Sequence, residues 1–165
     1  MDIEISEFMG KADKALLMEW SDQVFPVEGR KYNWSESTHH MIARSSGEPI
    51  AHLGFGRYEI RNVGQSMHVV GVGGVVVRPQ WQGQRIPQRL FACLHSTEIL
   101  DVREAVCTLF CPARLESYYS KLGYKKFTGE VFIPDGGQLE RIDISFMYHG
   151  EVEFGSPITL LTNPW

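Results

Sequence analysis

The sequence predicts a single mixed α/β domain spanning residues 1–165. Three observations carry that expectation. Apolar residues recur at helical spacing in some stretches and as short strand-like runs in others. The resulting order is helix, three strands, helix, strand, helix, strands. No internal repeat, low-complexity tract or linker-like stretch divides the chain, and its 165 residues suffice for a core without disulfides or metal.

Ala15, Leu16, Leu17 and Trp20 sit at helix-like spacing and predict a first helix near 11–24. Pro26 and Gly29 mark a loop, followed by a polar segment around Asn33, Trp34, Ser35 and Glu36. Residues 40–44 form a strand candidate, 45–49 the turn after it, and 50–60 the next strand. Residues 62–65 read as a hairpin turn and 67–78 as a long buried strand. Gly71, Gly73 and Gly74 inside that strand are costly unless something approaches the backbone closely or a β-bulge interrupts it. Pro79 ends the strand. Ile86, Leu90, Phe91 and Leu94 then recur at a helical period, and 105–110 is a short apolar strand. Leu115, Tyr118, Tyr119 and Leu122 return to helical spacing, with Gly123 where a C-terminal cap belongs. Residues 131–133 and 142–147 supply the last strands, separated by the 134–137 turn.

Composition excludes several classes. The apolar fraction of 43% and charged fraction of 22% are those of an ordinary globular protein, not a disordered or fibrous one. A net charge of -4 argues against non-specific nucleic-acid binding. Cys93, Cys107 and Cys111 show no disulfide framework and no zinc-type spacing, so they read as buried thiols in a reducing compartment. His39 and His40 adjoin on a strand and point to opposite faces, so no metal site is expected. The first residues lack a signal-peptide pattern, and no apolar run approaches the roughly 20 residues that cross a bilayer. The expected location is the cytoplasm, with no membrane and no nucleic-acid partner.

The segment 75–86 combines a buried strand, a glycine-containing loop and a helix start. Unpaired N–H groups at such a helix N-terminus make an anion site. The Walker lysine and the three-glycine dinucleotide fingerprint are both missing. The segment instead resembles the coenzyme A pyrophosphate loop of the GCN5-related N-acetyltransferases (GNAT superfamily). There a strand ending in V-x-P precedes Q/R-x-x-G-x-G/A and a helix. Val77, Pro79 and Gln82 match; Arg85 stands where the family usually has glycine, and Pro87 where it has glycine or alanine. A second element, residues 117–124, resembles the family's "YeklGF" segment and implies that Tyr119 protonates the departing thiolate; outside that resemblance Tyr119 would simply pack.

The resemblance implies the acyl-CoA N-acyltransferase fold: one mixed, mostly antiparallel central sheet of about six to seven strands flanked by about four helices. It also implies acetyl-CoA as co-substrate and no metal. The coenzyme would be held by Val75, Val76, Val77 and Cys111, and by Gln82, Gly83, Gln84, Arg85, Ile86 and Pro87. Backbone N–H groups at 75–77 would bind the pantetheine arm and polarise the thioester carbonyl, and Gly71, Gly73 and Gly74 would let substrate and cofactor approach that strand. A closer resemblance is to aminoglycoside 2′-N-acetyltransferases, through Asn33-Trp34, Ala51-His52, 81–85, 142–145 and Trp165. That group also carries an arginine at the position of Arg85.

Three carboxylates that would hold a polycation in that group are absent: Gly73, Asn163 and Asn33 occupy their positions. The expected acceptor is therefore a small-molecule amine other than a typical aminoglycoside. Glu28, Trp34 and Glu36 lie in the expected substrate loop. Candidates for the missing base are the main-chain carboxylate of Trp165, His68 on the central strand, Glu28 or Glu36, or water alone. Competing expectations are a protein or peptide N-acetyltransferase and a non-catalytic acetyl-CoA-binding module. Dimers are common in the resembling family, which makes a homodimer an option with no interface legible in the chain.

Overall fold

The computed structural model of the protein describes residues 1–18 and 31–165. The strands are β1 (Asp2–Ser6), β2 (His39–Ser45), β3 (Glu48–Asn62), β4 (Gln65–Val77) and β5 (Cys107–Cys111). They continue as β6 (Lys125–Lys126), β7 (Val131–Asp135), β8 (Gln138–Arg141), β9 (Ser145–His149) and β10 (Ile158–Leu160). Among the described residues the α-helices are α1 (Lys11–Met18), α2 (Ile86–Ser96) and α3 (Glu116–Ser120). Residues 19–24 of the expected first helix lie outside the described set.

All strands belong to one sheet in the order β6-β9-β5-β4-β3-β10-β7-β8. β1 and β2 attach to the first half of β3, while β10 pairs with its far end at Ile60–Asn62. Only β4–β5 and β7–β10 pair in parallel, so the mixed, mostly antiparallel sheet is as expected. Among the described residues its ten strands exceed the expected number because β1, β6, β8 and β10 are short pieces of two to five residues. The helical spacing at 115–122 also overshoots: Ala113–Leu115 is a 3-10 turn, and α3 covers only five residues.

Strand alternation sorts the core into two layers. Val70 and Val72 of β4 face α2, whose Ile86, Leu90, Phe91 and Leu94 form one buried stripe. Val69 faces the other side with Tyr58, Ile60, Phe146, Ile158 and Trp165. Gly123 closes the α3 turn at φ 89°, a conformation that spares glycine the Cβ penalty. Ser145 donates a hydrogen bond to the Glu116 carboxylate, and Lys126 Nζ lies 2.8 Å from it. These contacts, Lys126 first, hold Glu116 below its ordinary carboxyl range and tie α3 to β6 and β9.

The C-terminal end of α2 is fastened by rings. His95 stacks on His149 at 4.1 Å and 7°, and its Nε2 lies 3.1 Å from the Tyr124 hydroxyl. Burial, and then His149, lowers the His95 pKa from 6.5 to about 4. The folded state therefore holds His95 neutral where the unfolded chain binds a proton. Stability should be level above pH 6.5 and fall as the pH drops from there toward about 4. Denaturant midpoints measured across that window should show the decline and a shallower one in His95→Gln; equal slopes would refute the assignment.

Candidate active site

β4 and β5 share only three registered pairs, from Val70↔Cys107 to Val72↔Leu109, although β4 runs on to Val77 and β5 to Cys111. The strands part at this point. β4 bulges at the same level: Gly54 faces Gly73 and His52 faces Val76, which leaves Gly74 and Val75 opposite Leu53. Beyond the bulge the Arg78 N–H donates to the Ile50 carbonyl at 2.9 Å. Alternation then turns the N–H groups of Val75 and Val77 away from β3 and into the opening. The Val77 carbonyl is taken by Gln82 Nε2 at 3.1 Å.

The loop after β4 ends on α2. Gly83 sits at φ 78° with nothing within 4 Å of a Cβ placed there. Arg85, the residue before the helix, adopts the left-handed conformation (φ 58°, ψ 26°), where glycine would cost least. This accounts for the glycine in the family pattern; Arg85 keeps the geometry and adds an exposed cation. Arg85 makes no side-chain cap, so among the described residues the first N–H groups of α2 stay open, save at Pro87, which has none. Gln88 Oε1 is enclosed with no hydrogen-bond partner among the described residues, a polar group that the sequence reading did not single out.

On the other face of β4 the C-terminal segment fills the space left by the glycines. A Cβ at Gly71 would lie 2.3 Å from the Trp165 indole, and one at Gly73 would lie 3.0 Å from its main-chain carbonyl carbon. The expected close approach to Gly71 and Gly73 is thus made by the chain's own tryptophan, and that to Gly74 by His52. The indole stacks on Tyr58 at 4.5 Å and donates from Nε1 to the Thr108 carbonyl at 3.3 Å. Ser35 secures the segment: its N–H donates to the Pro164 carbonyl at 2.6 Å and its hydroxyl to the Asn163 carbonyl at 2.8 Å.

The structure therefore gathers Gly73, Asn163, Trp165 and the loop carrying Asn33, Trp34 and Glu36. Trp34 meets Phe110 edge-on at 6.0 Å, and Phe110 reaches Trp165 at 5.7 Å. Asn33 and Glu36 are exposed, and the Glu36 carbonyl accepts from the Tyr58 hydroxyl at 3.1 Å. Glu28 lies outside the described residues. Tyr119 is buried on the α2 side, in the apolar cluster that contains Cys111. Burial, with Cys111 and Tyr118 adding to it, raises its pKa and keeps the phenol protonated. Burial likewise pushes the Cys111 thiol up to about 12. His68 is exposed opposite Glu59, near the hairpin end of β4, and is not brought to the others. Beside the Glu116 contact, a cavity of about 410 Å³ is lined by Lys126, Phe127, Arg141, Asp143 and Ser145 among others.

Gly71→Ala should expel the indole, because the added Cβ would stand 2.3 Å from it. Overpacking of this kind costs about 1–3 kcal/mol. The expected readout is loss of the near-ultraviolet circular dichroism of the Tyr58–Trp165 stack together with lower stability. Gly10→Ala, where nothing lies within 4 Å, serves as the unaffected control. An unchanged spectrum in Gly71→Ala would contradict the packing.

No protein-family model and no curated protein matches the sequence. Solved structures do. ElaA from Escherichia coli is 15% identical, with a TM-score of 0.61 over 90% of this chain and 99% of that one. A GNAT-family acetyltransferase from Brucella melitensis in complex with acetyl-CoA is 16% identical, with a TM-score of 0.55 over 95% and 94%. An aminoglycoside 6′-N-acetyltransferase complexed with coenzyme A is 16% identical, with a TM-score of 0.56 over 91% and 98%. Identities of this size speak to shared architecture. With its parted β4 and β5 and its open α2 N-terminus, the chain has the fold of the GCN5-related N-acetyltransferases.

Proposed function

We propose that this protein is an acetyl-CoA-dependent N-acetyltransferase acting on a primary amine of a small molecule. The observation that carries the reading is the opening between β4 and β5, continuous in sequence with the uncapped start of α2. The residues present suit coenzyme A. Val75 and Val77 offer strand N–H groups to its pantetheine arm, and Gly83, Gln84 and Arg85 lead to helix N–H groups suited to its pyrophosphate.

Acetyl-CoA supplies an activated acetyl group: the amine nitrogen bonds to the carbonyl carbon as the carbon–sulfur bond breaks. The chain's residues handle the charge and the protons. The Val75 N–H stabilises negative charge developing on the carbonyl oxygen. Water held beside Gly73 and the Trp165 main chain takes the amine proton. Tyr119 gives a proton to the departing sulfur; burial keeps its phenol protonated at neutral pH.

The kinship to aminoglycoside 2′-N-acetyltransferases rests on the sequence motifs. Asn33, Asn163 and Gly73, close together but uncharged at their side chains, support an acceptor with fewer positive charges than an aminoglycoside. Among the described residues no helix is long and apolar enough to cross a membrane, which accords with a cytoplasmic enzyme.

Thiol release from acetyl-CoA should occur with a member of a panel of polyamines, aryl amines and peptides, and not only with aminoglycosides. Tyr119→Phe should lower kcat by about 10²-fold or more while leaving coenzyme A affinity unchanged. Turnover confined to aminoglycosides would overturn the acceptor assignment. Coenzyme A binding with no release on any amine would make the protein a binding module.

A further inference from the structure

The β4 bulge presents a problem of restraint. β5 has parted from β4 by Gly74, so among the described residues no neighbouring strand holds the Gly74–Val75 peptide on the open side. Gly74, at φ 57°, places little steric limit on rotation of that peptide. We propose that His52 is a positioning residue: it pins the Gly74–Val75 peptide plane so that the Val75 N–H faces the acyl group. The inference rests on the acetyltransferase reading and adds to it a residue outside the coenzyme and acceptor sites.

His52 lies on β3 and is 2% exposed. Its Nδ1 lies 2.7 Å from the Gly74 carbonyl oxygen. A carbonyl only accepts, so Nδ1 carries the ring proton and Nε2 is a lone pair. His40 supplies the donor that this lone pair requires, with its Nδ1 at 3.0 Å. Burial, chiefly, lowers the His52 pKa from 6.5 to about 4, so the ring stays neutral and in this tautomer at neutral pH. Both ring nitrogens are thereby committed, one to the bulge and one to a second histidine.

The direction of the Val75 N–H follows from peptide planarity. In a trans peptide the C=O and the next N–H point to opposite sides. With the Gly74 carbonyl turned onto His52, the Val75 N–H points away from β3, as the strand register also requires. A flipped peptide would present a carbonyl to the opening and repel the charge that develops there. Position 74 also favours glycine, since a Cβ would press on His52 Cε1 at 3.3 Å besides the strain of its φ.

The test reads the bound thioester directly. Acetyl-CoA carrying a carbon-13 carbonyl is added to the full-length protein, and its carbonyl stretch is followed by difference infrared spectroscopy. In the unaltered protein the stretch should move to lower frequency on binding, the signature of an N–H on the carbonyl oxygen. His52→Asn places an amide donor where Nδ1 stood and should keep the downshift. His52→Gln places its donor where Nε2 stood, and His52→Leu has none; both should lose the downshift with an unchanged Kd for coenzyme A. The polar pair Asn and Gln decides the matter even if the Leu variant does not fold. A downshift retained in His52→Gln would overturn the inference and leave the acetyltransferase reading standing. Failure of acetyl-CoA to bind the unaltered protein would remove both.

Discussion

Backbone N–H groups that leave a sheet without a partner are costly to enclose, so a protein that parts two central strands must give them something to bind. Here β4 and β5 separate after three registered pairs, in the middle of the sheet and above a fully apolar layer. The rest of the site follows from that separation. The bulge at Gly74 re-aims the donors of Val75 and Val77, Gln82 satisfies the Val77 carbonyl, and α2 starts where the loop delivers an open helix end. α2 is in turn fixed by its buried stripe of Ile86, Leu90, Phe91 and Leu94, so the donors stand on rigid elements.

The opposite face of β4 is shaped by the chain's own end. Gly71 and Gly73 give up side chains, and a single tryptophan fills the volume. Its indole is held on three sides, by Tyr58, Phe110 and the Thr108 carbonyl, while Ser35 ties the preceding residues to the 31–37 loop. The acceptor side is thereby coupled to the parting strands: a movement of the 31–37 loop would be felt at Gly73 through two hydrogen bonds and one ring.

Much of this was legible in the residues. The period of α2, the proline after β4 and the glycine at the end of α3 each state a local rule that the fold obeys. The three glycines of β4 mark a departure from regular strand structure. The sequence reads them as room for substrate and cofactor, whereas the chain's own residues approach them and a bulge interrupts the strand. What approaches them was not legible, because Trp165 and His52 belong to distant parts of the chain and only the pairing of β3, β4 and β10 brings them there. β8 escaped notice because all of its residues are exposed and carry no alternation. β1 was missed although Ile3 and Ile5 alternate with Asp2 and Glu4, because the alternation runs for only five residues and its burial as an edge strand is weak. His52 stands out in the sequence only as part of the Ala51-His52 motif of the resemblance; its contact with Gly74 depends on a register shift that no local pattern announces.

The account stands on coenzyme A occupying the gap between β4 and β5 and the start of α2. The most direct test is to titrate the nitrogen-15-labelled protein with coenzyme A and follow each backbone amide by NMR. The account predicts that the largest shifts fall at Val75 and Val77 and at the amides from Gly83 to Ile86, with the β7–β8 hairpin unmoved. Shifts centred on that hairpin, or no shift at Val75 and Val77, would contradict it.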